Sequence, residues 1–232
     1  MISAVVTGAS KGIGLETSIA LAQSGDFECI VMIARKSDAF ENAVNRVKEI
    51  AGNTHIHAIE ADLSDPRVVD SIYNVMTHAG IKVDTIVNNA GFARPASINE
   101  ATLGDFEMTM KVNLFTPFKF VQNAIVQGHP VKRIINIAST AGIGGKGGWI
   151  TYSASKAALI NMSEALREEL AAYEIDVFCL SPGRCATDLR KTLAPLEDPS
   201  TIMQPSQVAA IIKLMTSEEG RLIKSQNIVV RT

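Results

Sequence analysis

The sequence has little of what marks several large classes of protein. Its three cysteines, Cys29, Cys179 and Cys185, are odd in number and lack metal-ligand spacing, which argues against a disulfide framework or a zinc site. No apolar run reaches the roughly 20 residues of a membrane-spanning helix. Strand-like sequence begins at Ile2, which leaves no room for a signal peptide. We therefore expect a cytoplasmic protein in a reducing compartment.

An excess of charge of one sign is lacking too. Lys and Arg number 22 and Asp and Glu 24, for a net charge of -2, and no basic stripe carries interleaved aromatic residues. Neither nucleic acid nor an anionic membrane is expected as a partner. His55 and His57 alternate in a strand-like segment, where a core or surface role is favoured over metal binding, and we expect no metal site.

The chain does contain a regular alternation of short apolar strand-like segments with longer helical patterns. The predicted strands are Ile2–Val6, Cys29–Ile33, Thr54–Ile59, Val83–Val87, Arg133–Ala138, Asp176–Leu180 and Asn227–Val230. The predicted helices lie near 13–24, 38–51, 66–79, 102–127, 153–172 and 205–218. Because most strands are continuously apolar, we expect an α/β fold whose parallel sheet is covered by helices on both faces.

One domain over residues 1–232 is predicted, because no linker or internal repeat divides the chain. A long irregular stretch near 182–204 contains Pro182, Pro195 and Pro199. Loops of that length in a compact domain usually serve binding, so we predict a substrate loop there.

The first strand runs into a glycine-rich turn, which reads Thr7-Gly8-Ala9-Ser10-Lys11-Gly12-Ile13-Gly14, and then into a helix. Such glycines let the backbone approach a ligand, while the helix N-terminus offers free N–H groups to a pyrophosphate. Glycine clusters also occur for turn geometry alone. The placement between the first strand and the first helix favours dinucleotide binding.

The end of the second strand indicates which dinucleotide. An acid often stands there to bind the ribose 2′-hydroxyl, but this chain reads Ala34-Arg35-Lys36. A guanidinium pairs well with a 2′-phosphate, and Lys11 is expected to face the same region. The alternative is that Arg35 and Lys36 form a solvated loop. The pattern predicts NADP(H).

Further motifs follow at later strand ends. Asn88-Asn89-Ala90-Gly91 follows the fourth strand, Ser139 ends the fifth, and Pro182-Gly183 follows the sixth. Asn113 lies in the long helical pattern, and Tyr152 and Lys156 form a Y-x-x-x-K motif. Together with the T-G-x-x-x-G-x-G turn, these motifs extend over essentially the whole chain. Their identity and their order resemble those of the short-chain dehydrogenase/reductase family. The resemblance implies a single-domain, doubly wound Rossmann fold with a seven-stranded parallel sheet.

The resemblance also implies a catalytic set of Asn113, Ser139, Tyr152 and Lys156. Tyr152 would exchange the proton, and Ser139 would hydrogen-bond the substrate oxygen. Lys156 would hold the nicotinamide ribose and lower the Tyr152 pKa from about 10, because a nearby ammonium stabilises the phenolate. Asn113 would hold a water that links Lys156 to solvent.

The cofactor-binding residues implied by the resemblance come from six segments of the chain. They are Gly8, Ser10, Lys11, Gly12, Ile13, Gly14, Arg35, Asp62, Leu63, Asn89, Ala90, Gly91, Tyr152, Lys156, Pro182, Gly183, Cys185 and Thr187. For Asn89, an alternative is that it only bonds backbone across strands. Cys185 stands where the family usually has a branched aliphatic residue; a redox role for its thiol is a minor alternative.

The segment Gly142–Gly148 is rich in glycine but lacks the Ser or Thr that ends a phosphate loop. We expect it to form a flexible segment over the active site. Trp149, which follows it, either packs on the substrate or simply covers the site.

The expected function is NADPH-dependent reduction of a small-molecule carbonyl, or oxidation of the matching alcohol. An alternative is reduction of a 3-oxoacyl thioester on a carrier protein, which needs a basic docking patch. The candidates for that patch are Lys132, Arg133, Arg184, Arg190 and Lys191. An alternative of another class is an NADP(H)-sensing protein without turnover.

A homodimer or homotetramer is expected, because apolar residues wrap widely around the helical patterns at 102–127 and 153–172. The residues concerned are Leu114, Phe115, Phe118, Phe120, Val121, Ile125, Leu159, Met162 and Leu166. The family commonly continues past the last strand into an interface tail, whereas this sequence stops at Thr232, so the choice between dimer and tetramer stays open.

Overall fold

The computed structural model describes residues 1–223 and 227–231, and its central feature is one parallel sheet. The seven strands are β1 (Ile2–Thr7), β2 (Cys29–Ala34), β3 (His55–Glu60), β4 (Lys82–Asn88), β5 (Arg133–Ile137), β6 (Asp176–Pro182) and β7 (Ile228–Val230). They lie in the order β3-β2-β1-β4-β5-β6-β7, and every pairing is parallel. The predicted doubly wound fold is confirmed.

Helices cover both faces of the sheet. They are α1 (Gly12–Ala22), α2 (Asp38–Ile50), α3 (Val68–His78), α4 (Leu103–Met110), α5 (Thr116–Val126), α6 (Thr140–Ile143), α7 (Ile150–Leu170), α8 (Asp188–Leu193) and α9 (Pro205–Thr216). One core joins the sheet to α1, α2 and α9, and a second joins it to α3 and α5. Side chains of β1 alternate between them, since Ala4 and Val6 enter the first core and Val5 the second.

Burial explains the strand sequences. All six residues of the interior strand β2 are buried, whereas β3 at the sheet edge buries only Ile59. His55 is exposed and His57 half-buried on that edge strand. Within the described part of the chain, no helix is long and apolar enough to cross a membrane.

Two segments differ from their predictions. The helix predicted over 102–127 is interrupted by one π-helical turn, Lys111–Phe115, between α4 and α5. The stretch 182–204, predicted to be irregular, begins in β6 and contains α8 and a 3-10 turn, Pro199–Thr201. Local capping explains these short helices, because the Thr187 and Asp198 side chains accept hydrogen bonds from backbone N–H groups of the turns they precede.

The strand order reverses between β1 and β4, and ligands of such sheets bind at the carboxyl ends of the strands near that point. Here α1 packs against the turn after β1 with no space for a side chain at Gly14. A Cβ at Gly14 would lie 2.3 Å from the Gly8 carbonyl oxygen and 2.5 Å from Asn89 Nδ2. The close approach fixes α1 over the turn.

Candidate active site

A cavity of about 1150 Å³ opens at the carboxyl edge of the sheet. Every predicted cofactor-binding or catalytic residue lines it except Gly14 and Asn113. The lining includes Gly8, Ser10, Lys11, Gly12, Ile13, Arg35, Asp62, Leu63, Asn89, Ala90, Gly91, Ser139, Tyr152, Lys156, Pro182, Gly183, Cys185 and Thr187. Pockets for one small molecule usually measure about 300–1,000 Å³, so this cavity has room for a cofactor and a substrate together.

Hydrogen bonds between the first and fourth strands hold the glycine turn. Asn89 Nδ2 donates to the carbonyl oxygens of Thr7 and Gly8 at 2.9 and 3.4 Å. The Thr7 hydroxyl accepts from the backbone N–H groups of Asn89 and Ala90, each at 3.0 Å. The Asn89 side chain therefore performs the backbone-bonding role that was the alternative for this residue.

The first helix is left open for an anion. No side chain caps the N-terminus of α1, and its first turn carries no acidic residue. Helices α3, α5 and α7 are likewise without a side-chain cap, whereas α2, α4 and α8 each have a Ser or Thr cap. Free N–H groups at a helix N-terminus form a ready binding site for phosphate.

The cations near the end of β2 are arranged differently from the prediction. Arg35 lines the cavity and makes no ion pair with the described residues, while Lys36 lies 3.7 Å from Glu60. Lys11, however, forms an ion pair with Asp188 of α8. Both partners are well exposed, so the pair is weak and exchangeable. Of the three cations at this end of the cavity, Arg35 alone has no ion-pair partner among residues 1–223 and 227–231.

Ser139 is placed by the short helix α6. Its Oγ accepts the backbone N–H of Ala141 at 3.1 Å, which leaves the hydroxyl hydrogen to be donated into the cavity. Helix α6 packs tightly on α7, because a Cβ at Gly142 would lie 2.6 Å from the backbone carbon of Lys156. The first residue of the glycine-rich segment thus serves close packing rather than flexibility.

Tyr152 and Lys156 lie one turn apart on α7, and both are buried. Lys156 Nζ donates to the Ile137 carbonyl oxygen at 2.7 Å and lies 5.9 Å from the centre of the Tyr152 ring. Burial lowers the pKa of Lys156 to about 8. Burial also raises the pKa of Tyr152, although the Ser139 hydroxyl and the Arg190 charge oppose the rise.

The shift of the Tyr152 pKa therefore runs opposite to the predicted one. The Lys156 ammonium hydrogen-bonds a backbone carbonyl rather than the phenol. The cost of removing a phenolate from water outweighs the lowering of the Tyr152 pKa by the Ser139 hydroxyl and the Arg190 charge.

Asn113 is not part of the cavity wall, and its side chain bonds two other segments of the chain. Oδ1 accepts the Phe92 N–H at 2.8 Å, and Nδ2 donates to the Phe92 carbonyl and to Ser155 Oγ, each at 2.9 Å. The side chain thus joins the loop after β4 to α7. The predicted water-holding and catalytic roles of Asn113 stay predictions.

Sequence reasoning named Trp149 and Arg190 separately but missed their contact and the part of Glu197 in it. The Arg190 guanidinium lies 5.4 Å from the centre of the Trp149 ring and hydrogen-bonds Glu197 at 2.5 and 2.7 Å. These residues lie up to 48 positions apart, and no spacing in the chain signals their contact. Cys185 is buried in this region, and burial raises the pKa of its thiol to about 11, which disfavours redox chemistry.

The glycine turn lies where the strand order reverses, and it is open to a ligand. The Tyr152 phenol, the Lys156 ammonium and the Ser139 hydroxyl lie at the same edge of the sheet. This combination defines a dinucleotide-dependent oxidoreductase. Residues 3–198 match the short chain dehydrogenase family. A 3-oxoacyl-[acyl-carrier-protein] reductase of Synechocystis sp. is 32% identical over 226 residues, which cover 93% of this chain and 89% of that protein. The chain belongs to the short chain dehydrogenase family.

Solved structures agree with this assignment. A short chain dehydrogenase from Burkholderia cenocepacia J2315 in complex with NADP is 28% identical, with a TM-score of 0.84 over 98% of this chain and 95% of that one. A blue fluorescent protein from a metagenomic library in complex with NADPH is also 28% identical, with a TM-score of 0.83 and the same coverage.

The bonds of Asn113 predict that this residue supports the structure of the site. Asn113→Ala should lower the free energy of unfolding by about 2–4 kcal/mol, because three hydrogen bonds of about 1 kcal/mol each are lost and their partners left unpaired. Urea denaturation measures this. Asn123→Ala is the control, since the Nδ2 of that buried amide makes one bond, to Asp70 at 2.8 Å, and should cost about 1 kcal/mol. Equal losses in the two variants would contradict the structural role.

Proposed function

We propose that this oxidoreductase uses NADP(H) to reduce a small-molecule carbonyl, or to oxidise the matching secondary alcohol, with Tyr152 as general acid/base. The observation that carries the proposal is the meeting of Ser139, Tyr152 and Lys156 on one wall of a cavity that begins at the glycine turn. A non-catalytic sensor of the same cofactor would have no need for this assembly.

The residues at the adenosine end fit NADP(H). The uncapped N-terminus of α1 suits a pyrophosphate, and the unpaired Arg35 suits a 2′-phosphate. Ala34 supplies no carboxylate, and Asp38 lies in α2 outside the cavity wall. Similar solved structures hold NADPH or NADP, which supports the assignment. When bound, the nicotinamide supplies or accepts the hydride.

The protein's own groups then handle the oxygen and its proton. Ser139 donates a hydrogen bond to the substrate carbonyl, which polarises it. As the hydride reaches the carbonyl carbon, the carbonyl oxygen takes the phenolic proton of Tyr152 and the alcohol leaves a phenolate behind. The raised pKa of Tyr152 keeps the phenol protonated beforehand, as reduction requires. Lys156, with a pKa of about 8, is suited to return a proton near neutral pH.

Reduction of a carrier-bound 3-oxoacyl thioester is the second candidate, because the Synechocystis relative is named for that reaction. The predicted docking patch assembles only in part. Arg184 and Arg190 line the cavity, whereas Lys132 and Arg133 lie at the start of β5, a full strand away from Ser139, and pair with Asp84 and Glu218, each at 3.2 Å. Because those two cations are unavailable at the site, we favour a free small molecule over a carrier protein.

An oligomer and a cytoplasmic location are also part of the proposal. Part of the predicted apolar surplus lies inside the monomer, since Phe120, Val121 and Leu159 are buried and Leu114, Ile125, Met162 and Leu166 are partly buried. Phe115 and Phe118, however, are each 46% exposed and lie one helical turn apart, where they are available to a second copy.

The three buried free thiols suit a reducing compartment such as the cytoplasm.

Tyr152→Phe should lower turnover about 10²–10⁴-fold, because the general acid is lost while the ring is kept. NADPH oxidation against a panel of ketones and aldehydes measures this, and fluorescence titration should show little change in NADPH binding. Tyr173→Phe, at an exposed tyrosine outside the cavity wall, is the matched control. Wild-type rates in the Tyr152 variant on every substrate would exclude the tyrosine as the acid.

NADPH should bind more tightly than NADH, and Ala34→Asp with Arg35→Ile should invert the preference. A charge-assisted hydrogen bond lost from the 2′-phosphate weakens binding about 10–100-fold. Titration of both cofactors measures the two affinities. Lys36→Met removes a neighbouring cation that does not line the cavity and should leave the preference unchanged. Equal or tighter binding of NADH by the native protein would refute the cofactor assignment.

Light scattering at micromolar concentration should show a dimer or tetramer. Phe118→Glu should shift the population toward monomer, because a carboxylate on an apolar contact surface costs desolvation energy. Val75→Glu is the control, since Val75 on α3 is exposed to the same extent, 46%. A monomeric native protein would end this part of the proposal.

A further inference from the structure

The substrate end of the cavity carries more positive charge than negative. Its wall includes Arg94, Lys146, Arg184 and Arg190, against Asp105, while the nearby Asp188 is paired with Lys11. The excess is unexpected for a chain whose net charge is -2. Arg184 lies between the proposed cofactor-binding residues Gly183 and Cys185, but Arg94, Lys146 and Arg190 come from segments to which no cofactor contact is assigned.

Ion pairs within the protein neutralise only part of the excess. Arg94 Nη1 lies 2.9 Å from an Asp105 carboxylate oxygen, so that pair is balanced. Glu197 serves two arginines, since its carboxylate lies 3.5 Å from Arg184 and 2.5 Å from Arg190. One carboxylate cannot balance two guanidinium groups, and therefore one positive charge remains at this wall. Lys146 adds another, because it makes no ion pair with residues 1–223 or 227–231.

Arg190 is the best held of these cations. Its Nε and Nη2 donate to the two Glu197 oxygens, and its guanidinium lies on Trp149. Its side chain is only 19% exposed. Nη1 makes no hydrogen bond to the described residues, so its two N–H donors remain for a ligand. A planar guanidinium held in this way is suited to bind a carboxylate.

The same arginine is connected to the reacting group through Trp149. The Trp149 ring carries the Arg190 guanidinium and also packs, with Leu189 and Leu193, in one apolar cluster with Tyr152. The Arg190 charge accordingly opposes the rise in the Tyr152 pKa. A ligand that reaches from Tyr152 to Arg190 therefore meets hydrogen-bond donors at both ends and apolar side chains in the middle.

We propose that the substrate is an oxo acid, with its carbonyl at Tyr152 and its carboxylate at Arg190, and that Arg190 determines this specificity. The proposal rests on the proposed function, because the carbonyl end requires the reductase site. The competing explanation is that Arg190 only anchors α8 through Glu197 and Trp149. The two explanations differ in what happens to charged and neutral substrates.

The first experiment compares 4-oxopentanoate and 5-oxohexanoate with their methyl esters as substrates of the native protein with NADPH. The acid of at least one pair should have a kcat/KM at least about 10-fold above that of its ester, as expected for one charge-assisted hydrogen bond. Equal or better turnover of both esters would overturn the oxo-acid proposal and leave the proposed reductase function intact.

The second experiment tests the residue. Arg190→Met should raise KM for the preferred acid about 10–100-fold and change KM for its ester less than about threefold. Arg190→Lys should recover part of the loss by restoring the charge. Lys191→Met is the matched control, because this neighbour on α8 is exposed and does not line the cavity. Equal losses for acid and ester would show a merely structural arginine and overturn the assignment.

A binding measurement separates this proposal from the reductase function itself. With the protein saturated with NADP⁺, the preferred acid should raise the Tm in the native protein but not in Arg190→Met, and the ester should not raise it in either. If the acid raises the Tm only in the native protein but no carbonyl compound is turned over, the carboxylate site is supported and the reductase function is contradicted. No acid-specific shift and no acid-specific turnover would overturn the site.

Discussion

The burial of one ammonium group organises this site. Lys156 is almost completely removed from water and has one protein hydrogen bond, to the carbonyl at the end of β5. Burying a charge with so little compensation is costly, and the fall in its pKa reflects that cost. The packing of the surrounding helices and strands has to supply the free energy that offsets this cost. The missing side chain at Gly142 lets α6 close over the lysine backbone, and α7 rests on β5 and β6. Tyr152 and Ser139 occupy their positions as a result of the same packing.

Much of the fold follows from local sequence. Strands such as β2 are continuously apolar because both of their faces are buried, and this pattern alone distinguishes a parallel sheet with two helical layers. In such a sheet every strand ends at the same edge. Residues that follow different strands, such as Ser139 and the Asn88–Gly91 motif, are therefore brought to one cavity whatever their separation in the chain. The location of the site was predictable for that reason.

The rest depends on partners that are distant in sequence. Asn113 looked like a catalytic residue by its motif, but its actual bonds go to Phe92 and Ser155. The direction of the Tyr152 pKa shift follows from burial, which spacing on a helix does not reveal. Lys11 was expected to face the 2′-phosphate region, but it pairs with Asp188, which comes from a helix that the sequence pattern did not show. Arg190 and Glu197 form a contact of the same kind.

The pair of Lys11 and Asp188 connects the glycine turn to α8 across the mouth of the cavity, and both charges face solvent. Electrostatic attraction in water weakens as salt is added, with a screening length of about 10 Å at 0.1 M and about 3 Å at 1 M. The buried bonds of Asn89, Lys156 and Asn113 are shielded from those ions. Added salt therefore weakens the ion pair between Lys11 and Asp188 at the entrance of the cavity. The wall formed by Ser139, Tyr152 and Lys156 is unaffected.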